Sequence, residues 1–269
     1  YITQIWSPNL APLLLFILLT LFYKTKEIIA EKNIKRFMIM GLVFGLLLNH
    51  HISLGVVFLV TWIIYFFTTF LLTIFNKKKL KEYLLNWLIN MVGFWLGLMI
   101  MLLPFFLFEV RHGFMQIKSL IFTLSKSTAV VGQIGISKYE IVQKFIERSS
   151  VALSIPPQFS VFVIILIVIG IFYNILRKLY SKDDIRLLLF LVLNIVSLFI
   201  VYFGTKNPVW NYHFISIEVV FIFLILLAVK KNRILQYIIF SWAILLLISK
   251  IFLFTQSLMK QNNQGELMA

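Results

Sequence analysis

Cysteine is absent from the 269 residues, which excludes disulfides, thiolate catalysis and cysteine-based metal sites. Acid is scarce as well: 10 Asp and Glu stand against 25 Lys and Arg. With a mean hydropathy of +0.97 and only 13% charged residues, the chain is not a soluble globular domain. A net charge of +15 invites a nucleic-acid reading, but the charge sits between apolar runs and forms no basic face on a soluble unit, so no nucleic-acid partner is expected. A phosphate-cradling glycine loop, a nucleophile elbow and an HExxH helix are all missing. The first apolar run also lacks the basic start and small-residue cleavage site of a signal peptide.

What is present is apolar sequence in long blocks. Eight stretches read as helices: 9–23, 37–50, 53–75, 84–108, 159–176, 187–203, 213–229 and 234–254. A crossing takes about 20 apolar residues, and a few of these fall short. Basic residues crowd every second gap. The segments 24–36, 76–82, 177–186 and 230–233 hold five, four, four and three of them, 16 of the 25 in 34 positions. Lys and Arg mark cytoplasmic loops, so these gaps are assigned to the cytoplasm and both chain ends to the outside of the cytoplasmic membrane. The expected fold is all-α: a single polytopic membrane domain over 1–269, with about eight transmembrane helices and one long extracytoplasmic loop at 109–158. A chain that starts outside at Tyr1 and enters the membrane within ten residues predicts a preceding segment.

Gly41/Gly45 and Gly93/Gly97 have the spacing that lets helix backbones approach closely in lipid. Pro104 falls near the outer end of its run, and Pro156-Pro157 opens the next one. In the outer loop, Phe114, Ile117, Leu120, Ile121 and Leu124 recur at helical spacing. After a Gly/Ser stretch, 138–148 repeats the pattern, with Ile141, Val142, Phe145 and Ile146 opposite Glu140, Lys144, Glu147 and Arg148. Such segments lie in the interface plane, and two of them flanking a mobile stretch would form a lid.

Polar groups gather where helices meet the outer surface. The second run offers 12 residues from Phe37 to Leu48, about 18 Å of helix, and delivers Asn49, His50 and His51 there. Adjacent histidines point about 100° apart, so one of them at most faces a given site, and the spacing is not that of a metal pair. No metal or other cofactor is called for. Glu109, Arg111 and His112 follow Pro104; Arg offers a fork for phosphate and His a second donor near neutral pH. A third group comprises Lys206, Trp210, Tyr212 and His213, with Glu218 the only acid inside any run. A carboxylate there calls for a cavity or a partner. Lys250 reads as a snorkelling lysine.

The start Ile5-Trp6-Ser7-Pro8-Asn9, the Gly-rich run ending in Asn49-His50-His51, and the run from Leu103 through Pro104, Glu109, Arg111 and His112 to Phe114 carry a resemblance. The chain resembles bacterial polytopic glycosyltransferases of the GT-C type, similar to the protein mannosyltransferase and lipid A aminoarabinose transferase relatives. The resemblance covers most of the chain, and Ser7 departs from it, standing where a Trp-Asn-Pro run would place Asn. It implies a polyprenyl-phosphate sugar donor, transfer on the outer face, and a glycan, lipid or protein acceptor. It also implies a catalytic acid in a first outer loop that would precede Tyr1. On that basis Arg111, His112 and Lys206 would hold the donor phosphate. His50, His51, Tyr212 and His213 would line the substrate site, and Glu109 would be the fallback base. A flippase for lipid-linked saccharides and an outer-face glycan polymerase or ligase are the alternatives.

Overall fold

The computed structural model describes residues 10–25, 32–75, 80–115, 118, 138–153, 155–204 and 214–231, with five single positions between 233 and 244. All regular structure among them is helical: α1 (Leu10–Lys24), α2 (Ile34–His50), α3 (Ile52–Phe75), α4 (Leu80–Arg111), α5 (Lys138–Leu153), α6 (Pro157–Leu176), α7 (Lys182–Gly204) and α8 (Ile215–Val229). Four segments are long and apolar enough to cross a membrane: Leu54–Leu71 in α3, Leu80–Arg111, Pro157–Leu176 and Lys182–Phe203. The apolar helices α1 and α8 are shorter, at 15 residues each. The last apolar run, 234–254, lies almost wholly outside the described residues, as does the 114–124 repeat.

The two glycine pairs fit into one another. A Cβ on Gly41 would stand 2.0 Å from the Phe94 carbonyl oxygen, and one on Gly97 2.0 Å from that of Met38. Gly93 presses on Ile34 and Gly45 on Met101. Residue numbers rise together along both partners, so α2 and α4 run parallel, backbone against backbone. Asn33 caps α2 by accepting from the Arg36 N–H at 3.3 Å, and its own N–H donates to Asn90 Oδ1 at 2.8 Å. That bond sets the start of α2 level with Asn90, ten residues or about 15 Å along α4 from Leu80. The start of α2 and the start of α4 therefore lie at two levels along the pair.

Ring contacts tie α1, α3, α4 and α7 into a core. Phe22 meets Phe190 at 4.4 Å, Trp62 meets Phe94 at 4.9 Å and Tyr65 meets Phe190 at 5.5 Å. A buried amide joins α7 to α3, Asn194 donating to the Thr61 hydroxyl at 3.1 Å. The helices form a graded row: α4 packs on α2 and α3, these on α1 and α7, and α5 and α6 close the far flank against α8. Helix α4 does not stop near Pro104. It continues to Arg111 and closes in a Schellman turn, with Phe114 N–H bonded to the Glu109 carbonyl at 2.7 Å and Gly113 at φ +64°.

Candidate functional site at the helix ends away from the basic segments

The end of the bundle away from the basic segments carries the predicted polar residues, and α2 and α4 set their positions. Asn49 donates to the Met101 carbonyl at 2.8 Å, which pins the end of α2 to α4. His51 is buried and serves two helices. Its N–H closes α2 on Leu47 at 2.8 Å, and its Nδ1 accepts the Leu54 N–H at 3.4 Å, the place an N-cap oxygen takes. His50 is half-buried. His51, at φ −150° between two helices, has a capping role.

On α4, Glu109 is fully buried, whereas Arg111 and His112 are exposed. The His112 ring stacks on Phe108 at 4.0 Å between centroids and places Nδ1 2.8 Å from the Phe108 carbonyl. With Nδ1–H donating there, Nε2 is the ring nitrogen left for another partner. Met101 and Glu109 are eight residues apart, about 12 Å of helix. The two predicted clusters thus share one end of the α2–α4 pair but are offset along it. Lys206, Tyr212 and His213 lie outside the described residues, as do Trp210 and Lys250.

The partner of Glu218 is Arg148, at 3.2 Å. Phe145 of α5 packs on Phe221 at 6.0 Å, and one turn later Arg148 meets Glu218, so α5 lies antiparallel alongside α8. A helix lying in the interface plane would instead cross α8 at one point. The inward face is Ile141, Phe145, Arg148 and Ser149, while Val142 is exposed. The sequence reading put Arg148 on the solvent side. The signal that could have found this pair was Glu218 itself, a lone acid in an apolar run that needs a counter-charge.

Burial holds the His51 imidazole below the ordinary histidine range, against a smaller upward pull from its own backbone bonding. The unfolded chain takes up this proton near pH 6.5 and the folded chain resists it, so the unfolded state binds more protons and stability falls as pH drops through that value. Protonation also removes the Nδ1 acceptor that caps α3. Thermal unfolding in detergent is expected to show a lower midpoint at pH 5.5 than at pH 7.5. The difference should shrink in His51→Asn, which caps without titrating; an equal difference in that variant would clear His51 of the effect.

Among the described residues, no three of His, Asp or Glu gather in a metal-binding group. The all-helical fold with its long apolar helices defines a membrane-associated protein. No protein-family model, curated protein or solved structure matches the chain.

Proposed function

We propose that the protein is a glycosyltransferase of the cytoplasmic membrane, moving a sugar from a polyprenyl-phosphate donor to an acceptor on the outer face. In this reading seven of the helices, all except α5, together with 234–254, give eight crossings, and the basic ends face the cytoplasm. The observation that carries the reading is the outer end of α4. Two exposed donors, Arg111 and His112, stand there, ten and eleven residues beyond the Met101 carbonyl that receives Asn49.

The chemistry is a displacement at the anomeric carbon. A carboxylate takes the proton of the acceptor hydroxyl, the new C–O bond forms, and the polyprenyl phosphate leaves with the bonding electrons. Arg111 stabilises the charge growing on the phosphate with its guanidinium fork, His112 and Lys206 add donors, and His50, Tyr212 and His213 position the sugar, while His51 holds the turn between α2 and α3. Glu109 is the carboxylate at this end of α4, and its burial would have to open for it to act as base.

Membranes carrying the protein, given a labelled polyprenyl-phosphate sugar, are expected to release polyprenyl phosphate and label an acceptor. Arg111→Ala should lower that rate about a hundredfold at unchanged protein level. Equal turnover in the variant removes Arg111 from the mechanism. Movement of intact donor across the bilayer without cleavage would make the protein a flippase instead.

A further inference from the structure

A cleft of about 340 Å³ opens between α3 and α4, lined by Trp62, Phe66 and Phe70 on one side and Trp87, Met91 and Trp95 on the other. Trp87, Met91 and Trp95 recur every four residues and form a ridge. Across it a second, shallower groove of about 440 Å³ runs along α4 past Leu88 and Met99. Two parallel apolar channels flanking one ridge suit a ligand with two hydrocarbon chains better than a single-chain one.

The depth points to one leaflet. The Phe70–Trp87 ring contact, at 5.2 Å, marks the inner end of the cleft, five residues before α3 ends at Phe75 and seven after α4 begins at Leu80. From Leu59 to Phe70 is about 16 Å of helix, close to half of the ~30 Å hydrocarbon core. At that inner end the Trp87 indole N–H is buried and has no acceptor among the described residues. A buried donor left in this way is stabilised by any ligand oxygen that reaches it. Six residues further on, Lys81 is exposed, and Lys77, Lys78 and Lys79 precede it in the sequence.

We propose that this cleft seats one anionic diacyl phospholipid from the leaflet at the basic end of the molecule. Its chains straddle the Trp87–Met91–Trp95 ridge, the Trp87 indole donates to an ester or phosphate oxygen, and Lys81 offsets the headgroup charge. The site is separate from the outer helix ends and does not depend on glycosyl transfer.

Native mass spectrometry of the whole protein, delipidated in detergent and titrated with phosphatidylglycerol or phosphatidylcholine of matched chains, tests it. One phosphatidylglycerol is expected to be retained, with about fivefold preference over phosphatidylcholine for each lysine engaged. Lys81→Gln should reduce that preference and leave phosphatidylcholine retention unchanged. Trp87→Phe, which keeps a ring and removes the N–H, should weaken both lipids about fivefold. Met91→Trp should fill the cleft and abolish retention, whereas Leu107→Trp on the outer turns of α4 should not. Equal retention of the two lipids by the unmodified protein overturns the proposal. So does full retention by Met91→Trp with its helicity intact, and should that variant misfold, Trp87→Phe and Lys81→Gln decide. Retention that emerges only after deletion of residues beyond 233 also overturns it, because the chain's own last apolar run would then be the occupant.

Discussion

Gly41→Leu is expected to destabilise the protein by about 3 kcal/mol or more, measured by thermal or SDS-driven unfolding of the purified protein. The first atom of any side chain there would lie 2.0 Å from the Phe94 oxygen, 2.8 Å from the Leu98 nitrogen and 2.9 Å from the Phe94 carbonyl carbon. All three are backbone atoms, so no rotamer change relieves the overlap and the helices must part. Gly97 faces the mirror situation against Met38 and Leu42. Because the two glycines guard one interface, the double variant should cost much less than the two single effects added, the second change falling on helices already separated. Two other glycines set the scale. A Cβ on Gly170 meets nothing nearer than the Ala228 methyl, at 3.3 Å, and one on Gly113 meets nothing within 4 Å, though its φ of +64° disfavours alanine by about 1 kcal/mol. Gly41→Ala as mild as Gly170→Ala would show that α2 and α4 are not in backbone contact. Parting them also separates Asn49 from Met101, so under the proposed function a loss of sugar transfer should accompany the loss of stability.

This clasp was legible in the sequence because it depends on residue size at a fixed spacing. The helices were legible for a similar reason. Runs read as 37–50, 53–75 and 159–176 became Ile34–His50, Ile52–Phe75 and Pro157–Leu176. The fourth run was read as 84–108, stopping short of Glu82 and Glu109, and the helix passes through both because backbone hydrogen bonds continue past a charged side chain. Hydrophobicity marks where lipid begins, not where the helix ends. The amphipathic stretch at 138–148 was found, but its inner face was assigned by apolarity alone, and the Glu218 carboxylate turns Arg148 inward instead. At the site, exposure separates buried His51 from half-buried His50, and buried Glu109 from Arg111 and His112. The 12 Å offset between the two clusters could not be read, since it follows from how α2 and α4 slide on one another. Nor could the basic gaps be seen as anything but solvated loops, although a part-buried ion pair joins two of them across 46 residues.

That ion pair supports the second large effect: Lys230→Met is expected to cost about 2–4 kcal/mol, and adding Asp184→Asn should restore part of it. Lys230 Nζ lies 2.5 and 2.7 Å from the two Asp184 carboxylate oxygens, and Tyr23 donates to one of them at 3.1 Å. Ser181 and Asp184 cap α7 reciprocally: the Ser181 N–H reaches Oδ2 at 2.9 Å, and the Asp184 N–H reaches the Ser181 hydroxyl at 3.2 Å. The ends of α1 and α8 and the start of α7 are thus tied through one carboxylate. Burial pulls the Lys230 ammonium down, but its bonds to Asp184 and Tyr23 carry it above its ordinary value, so both partners are charged at neutral pH. Their exposures differ: the Asp184 side chain is 1% exposed and that of Lys230 is 34%. Removing the lysine strands a charge that water cannot reach. Removing the carboxylate leaves an ammonium that can turn to solvent, and the partial exposure of Lys230 holds the estimate below that for a fully buried pair. Asp184→Asn alone should therefore be the milder single variant, at about 1–2 kcal/mol, since asparagine still accepts the Ser181 N–H. The order of stability expected in unfolding measurements is wild type, Asp184→Asn, the double variant, then Lys230→Met. A double variant less stable than Lys230→Met would mean that the two residues act independently, and that Asp184 holds the helix ends through Ser181 and Tyr23 alone.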